Sequence, residues 1–186
     1  QAELLKRAVQ ALESSGIPYM LTGSIVSSLQ GQPRSTHDID IVVAMQRFDA
    51  LRLLTHFPRP RYYFDEQDIR ESIAARTMFN LIDAAEGDKI DFWLLTEDPF
   101  DVTRFARRSP QEVFGISMMV SRPEDTILQK LRWTSLAGGS ERQFGDALRV
   151  YELQFPLLDG AYMREWAANL GVTELLDRVE REAETG

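Results

Sequence analysis

Apolar and polar positions along the chain fall into two periods, and each period predicts a kind of element. Residues 2–15 place Leu5, Ala8, Val9 and Leu12 on one helical face, and Gly16 and Pro18 stop the run. Tyr19-Met20-Leu21 predicts a short strand that ends at Thr22-Gly23-Ser24, and residues 24–30 predict a short helix closed by Gly31. Asp38–Val43 is an Ile- and Val-rich strand, and residues 46–55 return to helical spacing. Tyr62–Phe64 reads as a short edge strand and 66–74 as a helix. Strands at 77–83 and 89–95 flank Glu86-Gly87-Asp88, a hairpin signal. Asp98-Pro99 opens another helix, with Asp at the N-cap and Pro at the first helical position, and Gly115–Val120 is the last strand.

Beyond residue 121 the pattern is helical. Ser121 and Glu124 form a capping-box pattern for a helix to Ala137, which Gly138-Gly139 breaks. Ser140 starts a second helix with the stripe Phe144, Leu148, Tyr151 and Phe155, ended by Pro156. Helices at 160–170 and 173–184 follow, split by Gly171. The expected architecture is α+β: a small mixed β-sheet flanked by helices over residues 1–121, then a helical part over 122–186. The second part is too short to hold a core alone and is expected to pack on the first.

Composition narrows the chemistry. The chain has 186 residues, 44% hydrophobic and 27% charged, which excludes global disorder. It has no cysteine, so disulfides, Cys-ligated metals and a thiol nucleophile are excluded. Two histidines, His37 and His56, cannot build a three-His metal site. No apolar run reaches the ~18 residues of a membrane span, and no signal-peptide pattern opens the chain, so a cytoplasmic protein away from membranes is expected. The net charge is −8, which argues against a large non-specific nucleic-acid footprint. Eighteen of the 21 basic residues are arginine, densest at Arg107-Arg108 and Arg59/Arg61. The helix end at Arg104, Arg107 and Arg108 reads as a solvated terminus, or as a patch for an RNA acceptor.

The candidate chemistry centres on Asp38 and Asp40. At i, i+2 in a strand both carboxylates point to one face, while Ile39 and Ile41 point to the other. Adjacent carboxylates repel unless a cation compensates. Hard oxygen donors suit Mg²⁺, which binds one or two carboxylates plus substrate phosphates. A solvated strand end with two surface aspartates has the same sequence. Asp91 lies in another apolar strand, where a buried charge needs a partner. Beside Asp38 and Asp40 it would complete a three-carboxylate set for two metals in phosphoryl transfer; otherwise it sits on an exposed face beside Lys89. Gly23-Ser24 ends a strand and opens a helix, which suits phosphate as well as an ordinary N-cap. It lies fifteen residues before Asp38, with Arg34 and Thr36 between. His37, next to Asp38, points away from both aspartates on a strand and reads as structural.

The runs Leu21-Thr22-Gly23-Ser24, Arg34-Ser35-Thr36-His37-Asp38-Ile39-Asp40-Ile41 and Lys89-Ile90-Asp91-Phe92 together resemble the nucleotidyltransferase fold of the DNA polymerase β superfamily. The Arg-x-Thr before Asp-x-Asp is similar to the short bacterial AbiEii/MenT-type, toxin-like branch. Pro123–Leu131 and Ser140–Asp146 resemble that branch's Glu-Asp…Lys and Arg…Asp elements, so the resemblance covers about residues 19–150. It implies transfer of a nucleotidyl group from an NTP, with Mg²⁺ (two ions, or Mn²⁺), to a hydroxyl of RNA or tRNA, of a protein or of a small molecule, and an antitoxin as partner. A nucleotide-binding module without turnover is the contrasting class. By the same resemblance Asp38, Asp40 and Asp91 hold the metals, with Asp91 helping to activate the acceptor. Gly23 and Ser24 hold the β- and γ-phosphates, Arg34 and Thr36 complete the nucleotide site, Lys130 meets the triphosphate and Asp146 positions Lys130. The residues alone also allow Lys130 to extend its stem from a packed helix to water, and Asp146 to pair with Arg142 at i, i+4. Glu66, Asp68 and Glu71 are candidates to line the pocket of a small-molecule acceptor.

Overall fold

The computed structural model describes residues 1–36 and 38–184; His37 lies outside the described residues. By its internal contacts the chain forms two compact units, residues 1–23 with 36–120 and residues 24–35 with 121–186.

The first unit is built on a seven-stranded mixed sheet. Its elements are α1 (Ala2–Ser14), β1 (Tyr19–Thr22), β2 (Asp38–Val43), α3 (Arg47–Leu54), β3 (Tyr62–Tyr63), α4 (Glu66–Ala75), β4 (Met78–Asp83), β5 (Lys89–Leu94), α5 (Pro99–Arg107), β6 (Ser109–Val113) and β7 (Ile116–Val120); α2 (Gly23–Gln30) follows β1 and leads into the second unit. The strand order is β3-β4-β5-β2-β1-β7-β6. β2 runs parallel to β5 and β1 parallel to β7, and the other pairs are antiparallel. One sheet face is apolar across its central strands: Ile39 is paired with Ile90, Ile41 with Phe92, and Phe92 with Phe79, all buried. Phe79 and Phe92 stack with centroids 5.1 Å apart. On the opposite face Met20, Val42 and Phe105 pack together, with Trp93 against them, so α5 sits over part of that face.

β6 departs from the sequence pattern, which left 109–113 outside any strand. Pro110 argues against a central strand, but β6 is the sheet's edge and pairs with β7 alone. Phe114 and Gly115 make the hairpin turn with φ of 50° and 81°. The helix end at Arg104 and Arg108 is also corrected. Arg104 is buried and donates from Nε to Asp101 Oδ1 at 2.8 Å, and the Arg108 guanidinium lies 4.1 Å over the Phe105 ring. An acid three residues before Arg104 and a buried ring three residues before Arg108 turn both arginines inward.

The second unit is helical: α2 from Ser24 on, α6 (Pro123–Leu136), α7 (Glu141–Gln154), a 3₁₀ turn (Phe155–Leu157), α8 (Gly160–Leu170) and α9 (Thr173–Glu182). α6 starts with Pro123 at its first position and Arg122 at the N-cap, whose side chain makes no cap hydrogen bond, so the expected Ser121/Glu124 capping box is replaced. Glu124 Oε1 instead accepts from the Asp159 backbone at the head of α8. α7 buries Phe144 and Tyr151 as expected, with Ala147 and Val150 rather than Leu148 and Phe155 completing the buried face. No helix among the described residues is long and apolar enough to cross a membrane.

Candidate active site

Strand register assembles the acidic site in the first unit. Opposite Asp40 on β2 lies Asp91 on β5, and opposite Asp38 lies Lys89. Paired residues of neighbouring strands share a face, so Asp38, Asp40, Lys89 and Asp91 all stand on one side of the sheet. Trp93 continues that face at i+2 from Asp91, and Asn80 on β4 is the cross-strand neighbour of Asp91. Asp38 is exposed, Asp40 half-buried and Asp91 buried.

Each aspartate has a different environment. Asp40 Oδ1 accepts from Trp93 Nε1 at 3.1 Å. Asp91 Oδ2 takes the Lys89 ammonium at 3.0 Å, and the same ammonium stands 3.5 Å from Asp38 Oδ1. The Asp91 carboxylate, with Asp38 adding its charge, holds Lys89 above the ordinary lysine pKa against the opposing effect of burial. Asp91 Oδ1 is buried without a hydrogen-bond partner, and so is Asn80 Oδ1. The three aspartates are thus aligned by register. Among the described residues, however, no three His, Asp or Glu side chains are gathered closely enough to hold a metal ion as they stand. A lysine holds two of the three instead.

Gly23 is fixed by Asp40. It ends β1 with φ of 71° and starts α2, and Thr22 pairs with Asp40 across β1 and β2. A Cβ at Gly23 would overlap Asp40 Oδ2 and come within 2.6 Å of Asp40 Cγ and 2.7 Å of its Cβ. Only glycine combines that backbone angle with that approach. Thr36 is half-buried; its carbonyl accepts from Gln1 Nε2 at 2.9 Å and its hydroxyl lies 3.5 Å from the Asp38 carbonyl.

The second unit holds the remaining expected residues in one network. Arg34 clamps Asp146 with two bonds of 2.8 Å, from Nε to Oδ1 and from Nη2 to Oδ2. Arg34 Nη2 also donates to Ser24 Oγ at 2.7 Å. Lys130 Nζ reaches Asp146 Oδ2 at 2.7 Å from a side chain only 6% exposed. That replaces both residue-level alternatives: Lys130 does not reach out to water, and Asp146 turns to Arg34 and Lys130 rather than to Arg142. Burial alone would push the Asp146 carboxyl up; the Arg34 guanidinium and Lys130 ammonium outweigh it and hold the pKa below the usual carboxylate value. The network sets the Arg34 guanidinium against the Ser24 hydroxyl, at the first turn of α2.

Two features were not read from the sequence. Lys89 and Trp93 flank Asp91 at period two, so strand alternation alone puts them on the aspartate face. The Arg34–Asp146 clamp joins residues 112 positions apart, and no local pattern signals it. The acidic trio Glu66, Asp68 and Glu71 is exposed on α4, and Glu71 accepts from Gln67 at 2.8 Å.

No family model and no curated protein matches the chain. Solved structures do. An antigenic nucleotidyltransferase-like protein from Paracoccidioides brasiliensis superimposes with a TM-score of 0.59 at 16% identity, covering 98% of this chain and 93% of its own. The chain has the nucleotidyltransferase fold. The antibiotic-resistance factor ANT(2'')-Ia, in solution, matches with a TM-score of 0.58 at 15% identity over 97% of each chain. Its crystal structure in complex with adenylyl-2''-tobramycin matches with a TM-score of 0.60 at 12% identity, over 92% of this chain and 97% of its own. At these identities the likeness is one of fold, within which the aspartate face and the Gly23 turn are features of this chain.

Proposed function

We propose that this chain is a Mg²⁺-dependent nucleotidyltransferase, in which an acceptor hydroxyl attacks the α-phosphorus of an NTP and pyrophosphate leaves. The observation that carries the reading is the β2–β5 register, which sets Asp40 beside Asp91 and leaves the buried Asp91 Oδ1 without a partner. A buried carboxylate oxygen with nothing to bond is costly, and a divalent cation is a group that satisfies it. The hard oxygens of Asp38, Asp40 and Asp91 suit Mg²⁺, singly or as a pair, and Mn²⁺ equally. Bound there, the cation supplies charge neutralisation for the triphosphate and the developing pyrophosphate. In this reading Asp91 also orients the acceptor hydroxyl and receives its proton as the new P–O bond forms and the bond to the β-phosphate breaks. Gly23 lets the backbone come close to phosphate, and Ser24, Arg34 and Lys130 supply donors for the β- and γ-phosphates, with Asp146 fixing Arg34 and Lys130 in place. Thr36 orders the segment that enters β2.

The acceptor divides into two classes by charge. The Arg34-x-Thr36 element before Asp38 supports the AbiEii/MenT-type reading, with RNA or a protein as acceptor and an antitoxin as partner. The net charge of −8 supports a cationic small molecule, the class to which the tobramycin of ANT(2'')-Ia belongs. Incubation of the full chain with each α-labelled NTP and Mg²⁺, in parallel with total RNA, a protein extract and an aminoglycoside panel, separates them. Label on RNA that falls steeply with salt supports the first class, and label on the aminoglycoside the second. Nucleotide binding with no transfer to any pool refutes the enzyme and leaves a binding module.

A further inference from the structure

Lys89 occupies the position that this reading gives to a metal ion. Its ammonium is 3.0 Å from Asp91 Oδ2 and 3.5 Å from Asp38 Oδ1, and its own side chain is one-third exposed. Asp91 is buried, its other oxygen has no partner, and Lys89 is the one cation on it among the described residues. Register fixes the arrangement: Lys89 stands opposite Asp38 and two residues before Asp91 on the same face, so a relaxed lysine side chain spans both carboxylates. Without a cation there, Asp38, Asp40 and Asp91 would present up to three negative charges along one stretch of sheet.

We infer that Lys89 is an internal counter-cation that holds Asp38 and Asp91 in the metal-free protein and must swing away before a divalent cation can take them. The inference rests on the assignment of these aspartates to metal. A compact ammonium on a flexible four-carbon stem can leave and return, and its exposed flank gives it a route to solvent. Two consequences follow. The free protein binds divalent cation weakly, because each ion displaces a bonded ammonium before it gains the carboxylates. The metal-free protein is nonetheless stable, because the aspartates are never left to repel one another. A substrate that brings its own metal, as an NTP does, supplies the second set of oxygens that tips the exchange.

The test is Mn²⁺ binding to the full chain, read by the loss of free-ion EPR signal, together with the thermal midpoint in EDTA and in Mg²⁺. Lys89→Met keeps the stem and removes the charge. It is expected to tighten Mn²⁺ binding about tenfold, which corresponds to losing a competing interaction of about 1.4 kcal/mol. In EDTA its midpoint falls below that of the wild type, and Mg²⁺ restores it. Lys89→Arg keeps the charge and is expected to keep the weak Mn²⁺ binding of the wild type. Unchanged Mn²⁺ affinity in Lys89→Met, with a midpoint deficit that Mg²⁺ does not repair, overturns the inference and makes Lys89 a plain structural ion pair. Asp91→Asn separates this failure from that of the underlying assignment. If Asp91→Asn abolishes Mn²⁺ binding while Lys89→Met leaves it unchanged, the metal site stands and the counter-cation falls. If Asp91→Asn and Asp40→Asn both bind Mn²⁺ as the wild type does, the assignment of these aspartates to metal falls, and the inference with it.

Discussion

Replacing Gly23 by alanine tests how tightly the turn into α2 is tied to Asp40. Three costs add. The backbone at φ of 71° charges an L-residue about 1–2 kcal/mol. The new methyl meets Asp40 Cγ at 2.6 Å and Asp40 Cβ at 2.7 Å. The carboxylate can rotate away, but Cβ is anchored to β2, so some overlap persists in any rotamer, at about 1–3 kcal/mol for forced overpacking. Rotation of the carboxylate also strains its bond from Trp93 Nε1, a hydrogen bond to a charged group worth about 1.5–3 kcal/mol. The expected loss is about 3.5–8 kcal/mol, or a fall in melting temperature of about 7–30 °C for a chain of this size. Gly87 is the control: its φ is 75°, yet nothing lies within 4 Å of a Cβ there, so Gly87→Ala should cost only about 1–2 kcal/mol. Urea unfolding followed by tryptophan fluorescence and far-UV circular dichroism measures both. If the two variants lose the same stability within about 0.5 kcal/mol, the close approach of Gly23 to Asp40 does not exist in solution and the reasoning fails.

Other outcomes are equally specific. Phe92→Ala removes a fully buried ring stacked on Phe79 and should cost about 3–5 kcal/mol in urea unfolding, with nucleotide binding by the surviving folded fraction unchanged. Asp146→Asn removes the carboxylate that Lys130 and the Arg34 guanidinium share, an expected loss of about 3 kcal/mol at neutral pH. Because the folded pKa of Asp146 is held below the unfolded value of about 3.9, its contribution is present above that pH and is lost as pH falls through the folded value. The stability gap between wild type and Asp146→Asn should therefore narrow below about pH 4; a gap that stays constant through the acid range would refute the coupling. Trp93→Phe removes the indole donor to Asp40 Oδ1 and is expected to lower nucleotidyl transfer more than it lowers stability; a loss confined to the melting temperature would make Trp93 only a packing residue.

The sheet was legible in the sequence wherever alternation was clean. Asp38–Val43 and Lys89–Leu94 show polar and apolar faces at period two, and both strands form as read. β6 was hidden because Pro110 masks an edge strand, and the signal that remained was the Phe114-Gly115 turn. The aspartate face was legible as a set of side chains on one side, but its lysine was read only as a neighbour of Asp91, because strand periodicity gives direction and not distance. The Arg34–Asp146–Lys130 network was out of reach of residue spacing, since tertiary packing alone brings the segment after α2 together with α6 and α7. Arg104 and Arg108 show the converse: charge at a helix end reads as solvent, and an acid one turn back and a nearby ring drew both inward.

The fate of the two ends of the triphosphate decides whether the chain transfers a nucleotidyl group. With α-labelled and γ-labelled NTP in parallel, Mg²⁺ and the acceptor pool that takes label, a nucleotidyltransferase moves the α label to the acceptor and the γ label to pyrophosphate, and Asp91→Asn does neither. Label passing from the γ position to the acceptor, or α-label transfer undiminished in Asp91→Asn, would contradict the account.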